Sequence, residues 1–184
     1  RIEPVPDAFG QIVPDVAMEI VPGRPGVNQF LVDTTDAIAF ATLEIDLAAV
    51  AANARRFAGT ARGRVMAVVK ADGFGHGLAD VARTALANGA TWLGVTSIAE
   101  GVEVRGAGIT APVLSWLNPV DADVDAARRH HIDLAVPSVE HLEAVTGRVH
   151  LHLDTGMARD GAAQEDWPEL MAAARRAEAA GNVT

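Results

Sequence analysis

The chain has 184 residues, 49 % of them apolar, enough for one domain with a core and an appendage. Its formal charge of −9 removes the basic surface that nonspecific nucleic-acid binding requires, so no nucleic-acid partner is expected. The absence of cysteine removes disulfides, thiolate nucleophiles and cysteine-based metal sites.

No apolar run reaches the roughly 18 residues of a membrane span, and residues 1–40 lack a basic-then-apolar leader, so a cytoplasmic protein without membrane contact is expected. Residues 1–40 form a proline-rich segment with short β-type runs, QIVPDVAMEIV and NQFLVD, and no helical periodicity. From residue 41 the texture changes. FATLEID reads as a strand. Asp46 then caps a helix whose stripe is Leu47, Val50, Ala51, Ala54 and Phe57, closed by Gly59. RVMAVVK is an apolar strand, and a helix follows with Leu78, Val81, Ala82, Ala85 and Leu86 on one face.

TWLGV is the next strand. Ser97 and Glu100 have capping-box spacing and open a helix that runs to Gly106. APVLSWL is a strand, and Asp121 is expected to open the helix after it. IDLAV is a strand, Ser138 caps a helix, RVHLHLD is a strand, and Pro168 sits in the first turn of a long helix. NVT, at residues 182–184, reads as the start of one more strand.

Strands recurring about every 20 residues, each followed by an amphipathic helix, define βαβ units around a parallel sheet. The expected fold is α/β. It is either an open doubly wound sheet or, favoured here, a partial (β/α)8 TIM-type barrel of about five to six βα units. A β-rich arm over 1–40 precedes it, leaving 41–184 as the incomplete barrel.

Three constellations could carry chemistry. Lys70 stands at the carboxyl end of an apolar strand, where ligands bind in such folds, and Gly73, Gly75 and Gly77 follow it. A strand that desolvates the lysine stem would favour the neutral amine that imine formation needs. The glycine order fits neither a phosphate-binding P-loop nor a dinucleotide fingerprint. His150, His152 and Asp154 alternate, so a strand would place them on one face, as in a metal-dependent barrel hydrolase. Arg159 lies in the loop after that strand, suited to capturing a carboxylate or phenolate oxygen.

Taken together, MAVVKADGFGHG resembles the cofactor-lysine motif of the alanine racemases, V-K-A-[ND]-x-Y-G-H-G, and HLHLDTGMARDG resembles their second signature, H-x-K-x-D-T-G-M-x-R-x-G. LEIDLAAVAANARR and TWLGVTSIAEGVEVRGAGITAPVL are similar to that family too. The resemblance implies an isomerase that uses pyridoxal 5'-phosphate to interconvert L- and D-alanine, the D-enantiomer serving as a peptidoglycan precursor. It also implies a barrel joined to a C-terminal β domain, and a homodimer or a complementing chain that completes the barrel. Lys70 matches the Schiff-base lysine, which is also the base on one face of the α-carbon, and Arg159 matches the arginine near the cofactor's phenolic oxygen and the substrate carboxylate.

Departures from the pattern are specific. Phe74 replaces a tyrosine whose hydroxyl would reach the cofactor phosphate, a hydrogen bond worth about 1.5–3 kcal/mol. His152 stands where many members carry a lysine that becomes carbamylated and orients the arginine. The family's second base is a tyrosine, and these 184 residues contain none. GRPGVNQFLVDTTD, at 23–36, resembles a stretch of the family's C-terminal domain that lines the partner's site, which makes Val27 a substrate-side candidate. The expected function is therefore an alanine racemase that is incomplete alone. The alternatives are a non-catalytic truncated remnant and the metal hydrolase on His150, His152 and Asp154.

Overall fold

The structure, a computed structural model, describes residues 17–22, 28–33 and 42–184, with side chains from residue 44 onward. Val27 lies outside the described residues. The chain divides into two compact units, 1–49 and 50–184. In the first, β1 (Ala17–Pro22), β2 (Asn28–Asp33) and β3 (Thr42–Glu44) form an antiparallel sheet in the order β1-β2-β3. Ile20 pairs with Phe30, and Phe30 with Leu43. The Asp46 carboxylate accepts the Ala48 and Ala49 N–H groups at the start of α1 (Leu47–Thr60), the cap that the sequence predicts. The predicted apolar stripe of α1 is not buried, and Phe57 is exposed.

The second unit is a parallel sheet in strict chain order. It comprises β4 (Val65–Val68), β5 (Ala90–Val95), β6 (Val113–Ser115), β7 (Ile132–Val136) and β8 (Val149–Leu151). The helices between them are α3 (Leu78–Ala87), α4 (Ile98–Gly106), α5 (Val124–Arg129) and α6 (Val139–Ala144), and α7 (Trp167–Ala179) follows β8. A doubly wound sheet would interrupt this order. A sheet that adds each strand beside the last, as here, is the wall of a barrel. At 182–184 the chain returns to the β8 edge: Gly147 bridges Val183 in parallel, and the Val149 N–H donates to Thr184 O at 3.0 Å.

Strand alternation divides the sheet into two faces. Val69, Leu93, Val95, Val113, Leu134 and Val136 point toward the helices and form the core with Leu78, Ala82, Val104, Leu142 and Leu170. The opposite parity sets Met66, Trp92, Gly94, Leu114, Trp116, Ala135, His150 and His152 on the inner face. Gly94 is required there, because a Cβ would lie 2.8 Å from the Trp116 ring and 2.9 Å from Met66 Sδ.

Two boundaries differ from the sequence reading. Asp123, not Asp121, caps α5: its Oδ1 accepts the Ala126 N–H at 2.9 Å, while residues 119–122 are spent in a turn closed by Ala122 N–H to Pro119 O. β8 is shorter than RVHLHLD, because beyond His152 the chain pairs with Ala162 instead of continuing beside β7.

Arg105 closes the amino-terminal end of the sheet. Its guanidinium donates to four carbonyls: His130 O and Ala111 O at 2.8 Å, Ile109 O at 2.9 Å and His131 O at 2.8 Å. Burial pushes this group down from its ordinary value and the Asp133 charge opposes the shift; an arginine's margin keeps it charged. An ammonium has three donors without the guanidinium's planar fork. Arg105→Lys should therefore cost on the order of 1–3 kcal/mol in urea unfolding while leaving the strand order intact; a neutral result would remove Arg105 from the account of stability.

Candidate active site

Parallel strands present all their carboxyl ends on one side, so Lys70, after β4, and Arg159, after β8, lie at the same end of the sheet. Each is carried by an unusual loop.

Val69, just after β4, has ψ 15°, its N–H donating to Gly94 O at 2.8 Å. Lys70–Gly75 (α2) then contains one turn of left-handed helix: Ala71, Asp72, Gly73 and Phe74 have φ of 54°, 53°, 61° and 62°. Each non-glycine residue in this region costs about 1–2 kcal/mol, so the turn persists only because other contacts determine it. Gly73 N–H donates to Val69 O and Gly77 N–H to Asp72 O, both at 2.9 Å. Asp72 Oδ1 accepts the Leu78 N–H at 2.7 Å, fastening the turn to α3. The Ala71 N–H donates to Glu100 Oε1 at 2.8 Å, fastening it to α4.

Glu100 does more than cap. Its Oε2 accepts the Thr96 N–H at 2.8 Å, the Thr96 hydroxyl at 2.9 Å and the Ser97 N–H at 3.2 Å. Burial alone would raise this carboxyl, but the bonds from Ala71, Thr96 and Ser97 outweigh it and hold the group below its ordinary value. Lys70 itself is exposed, so the desolvation expected from a strand-end position is not supplied by the described residues. Phe74 is 83 % exposed and stacks on His76 with ring centroids 6.3 Å apart.

At the far side, a cleft of about 270 Å³ opens over β6–β8, lined by Trp116, His150, His152, Met157, Arg159 and Asp160 among others. Arg159 is exposed on its wall. Lys70 and Phe74 do not line this cleft. The loop that bears Arg159 is closed at its base by Asp154 N–H to Ala162 O at 2.9 Å and Ala162 N–H to His152 O at 2.8 Å. Asp154 Oδ1 accepts the Gly156 and Ala158 N–H groups, which hold its carboxyl below the ordinary range. Ala158, just before Arg159, has φ 52°.

The metal reading does not survive this geometry. His150 Nε2 lies 3.1 Å from Asp133 Oδ2, His152 Nδ1 lies 3.1 Å from Asp160 Oδ2, and Asp154 is turned onto its own loop. Among the described residues no group of three His, Asp or Glu side chains is placed to hold an ion. The His152–Asp160 pair is close but off the line of a hydrogen bond, which leaves both atoms buried without such a partner. Asp160, Trp116 and the Ala71 contact of Glu100 were invisible to sequence reasoning, because each depends on residues far apart in the chain; only the cap half of Glu100 had a spacing signal.

Residues 45–184 match the family model of the alanine racemase N-terminal domain. The alanine racemase of Thermobifida fusca is 46 % identical over 155 residues, 79 % of this chain and 41 % of that protein. The crystal structure of alanine racemase from D-cycloserine-producing Streptomyces lavendulae matches with a TM-score of 0.73 at 38 % identity, over 75 % of this chain and 39 % of that one. The histidine racemase of Leuconostoc mesenteroides subsp. sake matches at 0.65 with 28 % identity, over 74 % and 39 % of the two chains. The chain spans about two-fifths of the length of the curated relatives it matches.

Gly161 tests the loop. Its φ is 102°, and a Cβ would lie 2.8 Å from Asp154 N and 2.9 Å from Leu153 C, both backbone atoms that cannot yield. Gly161→Ala should displace the segment carrying Arg159 and lower stability by about 1–3 kcal/mol; unchanged amide chemical shifts over 154–162 would show that the loop is not braced as described.

Proposed function

Because the chain belongs to the alanine racemase N-terminal domain family, we propose that it is the part of a racemase that holds the cofactor through Lys70 and moves a proton at the α-carbon of alanine. The family depends on pyridoxal 5'-phosphate. The observation that carries the proposal is the placement of Lys70: an exposed amine on a braced left-handed turn, at the sheet end that also holds Arg159.

The donors present suit that cofactor. Lys70 offers a primary amine with open access, and Arg159 offers a guanidinium beside a cleft whose wall also holds the His152–Asp160 pair. Phe74, in the position of the family's tyrosine, can meet the cofactor only as an apolar surface. When bound, pyridoxal phosphate supplies an aldehyde for covalent attachment and an electron sink for the charge left at the α-carbon.

The remaining roles belong to the chain. Lys70 Nζ would hold the cofactor and, as a free amine, would take the α-proton from one face and return it there. Arg159 pairs with anionic oxygen, orienting the substrate carboxylate or the cofactor. Inversion requires a proton delivered to the opposite face, and no tyrosine of these 184 residues can deliver it. The proposal therefore places this second group outside these 184 residues, in the rest of the barrel's own protein or in a partner copy. Val68, Leu117 and Met157, apolar and exposed, support a covering surface of either kind. Alanine is the proposed substrate because the alanine racemases of Thermobifida fusca and Streptomyces lavendulae match at 46 % and 38 % identity, against 28 % for the histidine racemase. No helix among the described residues is long and apolar enough to cross a membrane.

Incubating the chain with pyridoxal phosphate and alanine in D2O should introduce deuterium at the α-carbon. Lys70→Ala should slow this by about 10²–10⁴-fold. Equal exchange with and without Lys70 would refute the assignment.

A further inference from the structure

We propose that Glu100 is a positioning residue for Lys70: its carboxylate holds the Ala71 N–H and so fixes the left-handed turn that presents the lysine. This rests on the reading of Lys70 as the lysine that holds the cofactor.

The division of labour between the two oxygens carries the argument. A capping box asks only that the Glu100 side chain accept the Ser97 N–H, and here that bond, at 3.2 Å, is the longest of the four the carboxylate accepts. Oε2 is anchored to Thr96 by two shorter bonds at the corner between β5 and α4. Oε1 is left with one donor, the backbone of the residue immediately after Lys70, 29 positions away in sequence. The carboxylate therefore joins two neighbouring βα corners. On one side stands the end of β5, whose Gly94 O already receives Val69 N–H; on the other stands the first residue of the strained turn. Ala71 has no side chain able to hold itself at φ 54°, and the other supports of the turn begin only at Asp72 and Gly73. Glu100 is thus the contact that fixes the step from Lys70 into the turn. An outer contact of this kind acts through the residue it orients, and at metal centres the loss of such a contact costs about 10–100-fold in affinity or activity.

Ser97 supplies the control. Its hydroxyl accepts the Glu100 N–H and makes the other half of the cap, but does not touch Ala71. Native-state amide exchange should be followed at Ala71 in the wild-type chain, Glu100→Gln and Ser97→Ala, and the affinity for pyridoxal phosphate read from imine absorbance with borohydride trapping at Lys70. In Glu100→Gln an amide replaces one oxygen, so the side chain can no longer serve both corners. Exchange at Ala71 is expected to quicken by about 10- to 100-fold and cofactor affinity to fall by a similar factor, with Ser97→Ala close to wild type in both. If Glu100→Gln does not fold, Glu100→Asp, which keeps the charge and loses the reach, is expected to give the same pattern. Unchanged exchange at Ala71 in the glutamate variants, or an equal change in Ser97→Ala, overturns the proposal. A wild-type chain that traps no cofactor at Lys70 would instead refute the cofactor reading, and the exchange result would still decide the role of Glu100.

Discussion

Four consecutive residues in left-handed conformation, three of them not glycine, are the constraint around which the site is built. Strain on the order of 3–6 kcal/mol accumulates over Ala71, Asp72 and Phe74. It is offset by bonds of comparable total size: two backbone donors on carboxylates, from Ala71 to Glu100 and from Leu78 to Asp72, and the backbone bonds at Gly73 and Gly77. The consequence is geometric. A chain that left β4 directly into a right-handed helix would carry the residue after Val69 into the layer of helices. The reversed turn delays the start of α3 to Leu78 and leaves Lys70 exposed at the mouth of the strand.

The rest of the second unit follows from strand alternation. One parity is filled by valine, leucine and isoleucine against the helices. The other carries Met66, Trp92 and Trp116 with His150 and His152, and the glycine at 94 lets the Trp116 ring lie against the neighbouring strand on that face. Large aromatics and histidines on one face, among aliphatic residues on the other, mark a surface meant to surround something. The same end of that face holds Lys70 and Arg159, although separate loops carry them and no contact joins them here.

Much of this was legible in the sequence. Runs of apolar residues about 20 apart, Ser97 with Glu100, Ser138 and Pro168 each place an element where it is found, because they are local signals read within one or two turns. Motifs singled out Lys70 and Arg159, and the structure sets both at the carboxyl end of the sheet. What was not legible is which of several possible partners each polar side chain takes. The alternation of His150, His152 and Asp154 suggested a shared ligand, yet Asp133, Asp160 and the backbone of 156–158 each claim one of them. Asp121 was expected to open the helix after β6, but residues 119–122 form a turn and Asp123 takes the cap. The glycines after Lys70 signalled a special backbone, but Ala71, Asp72 and Phe74 share it, which no propensity scale would assign.

The central claim is that Lys70, at the head of this turn, is the amine that attaches pyridoxal phosphate. The most direct measurement is borohydride reduction of the chain after incubation with the cofactor, followed by peptide mapping. The account predicts a yellow protein that bleaches on reduction, with the pyridoxyl group on Lys70. A protein that stays colourless, or a label carried by a lysine or terminus other than Lys70, would contradict it.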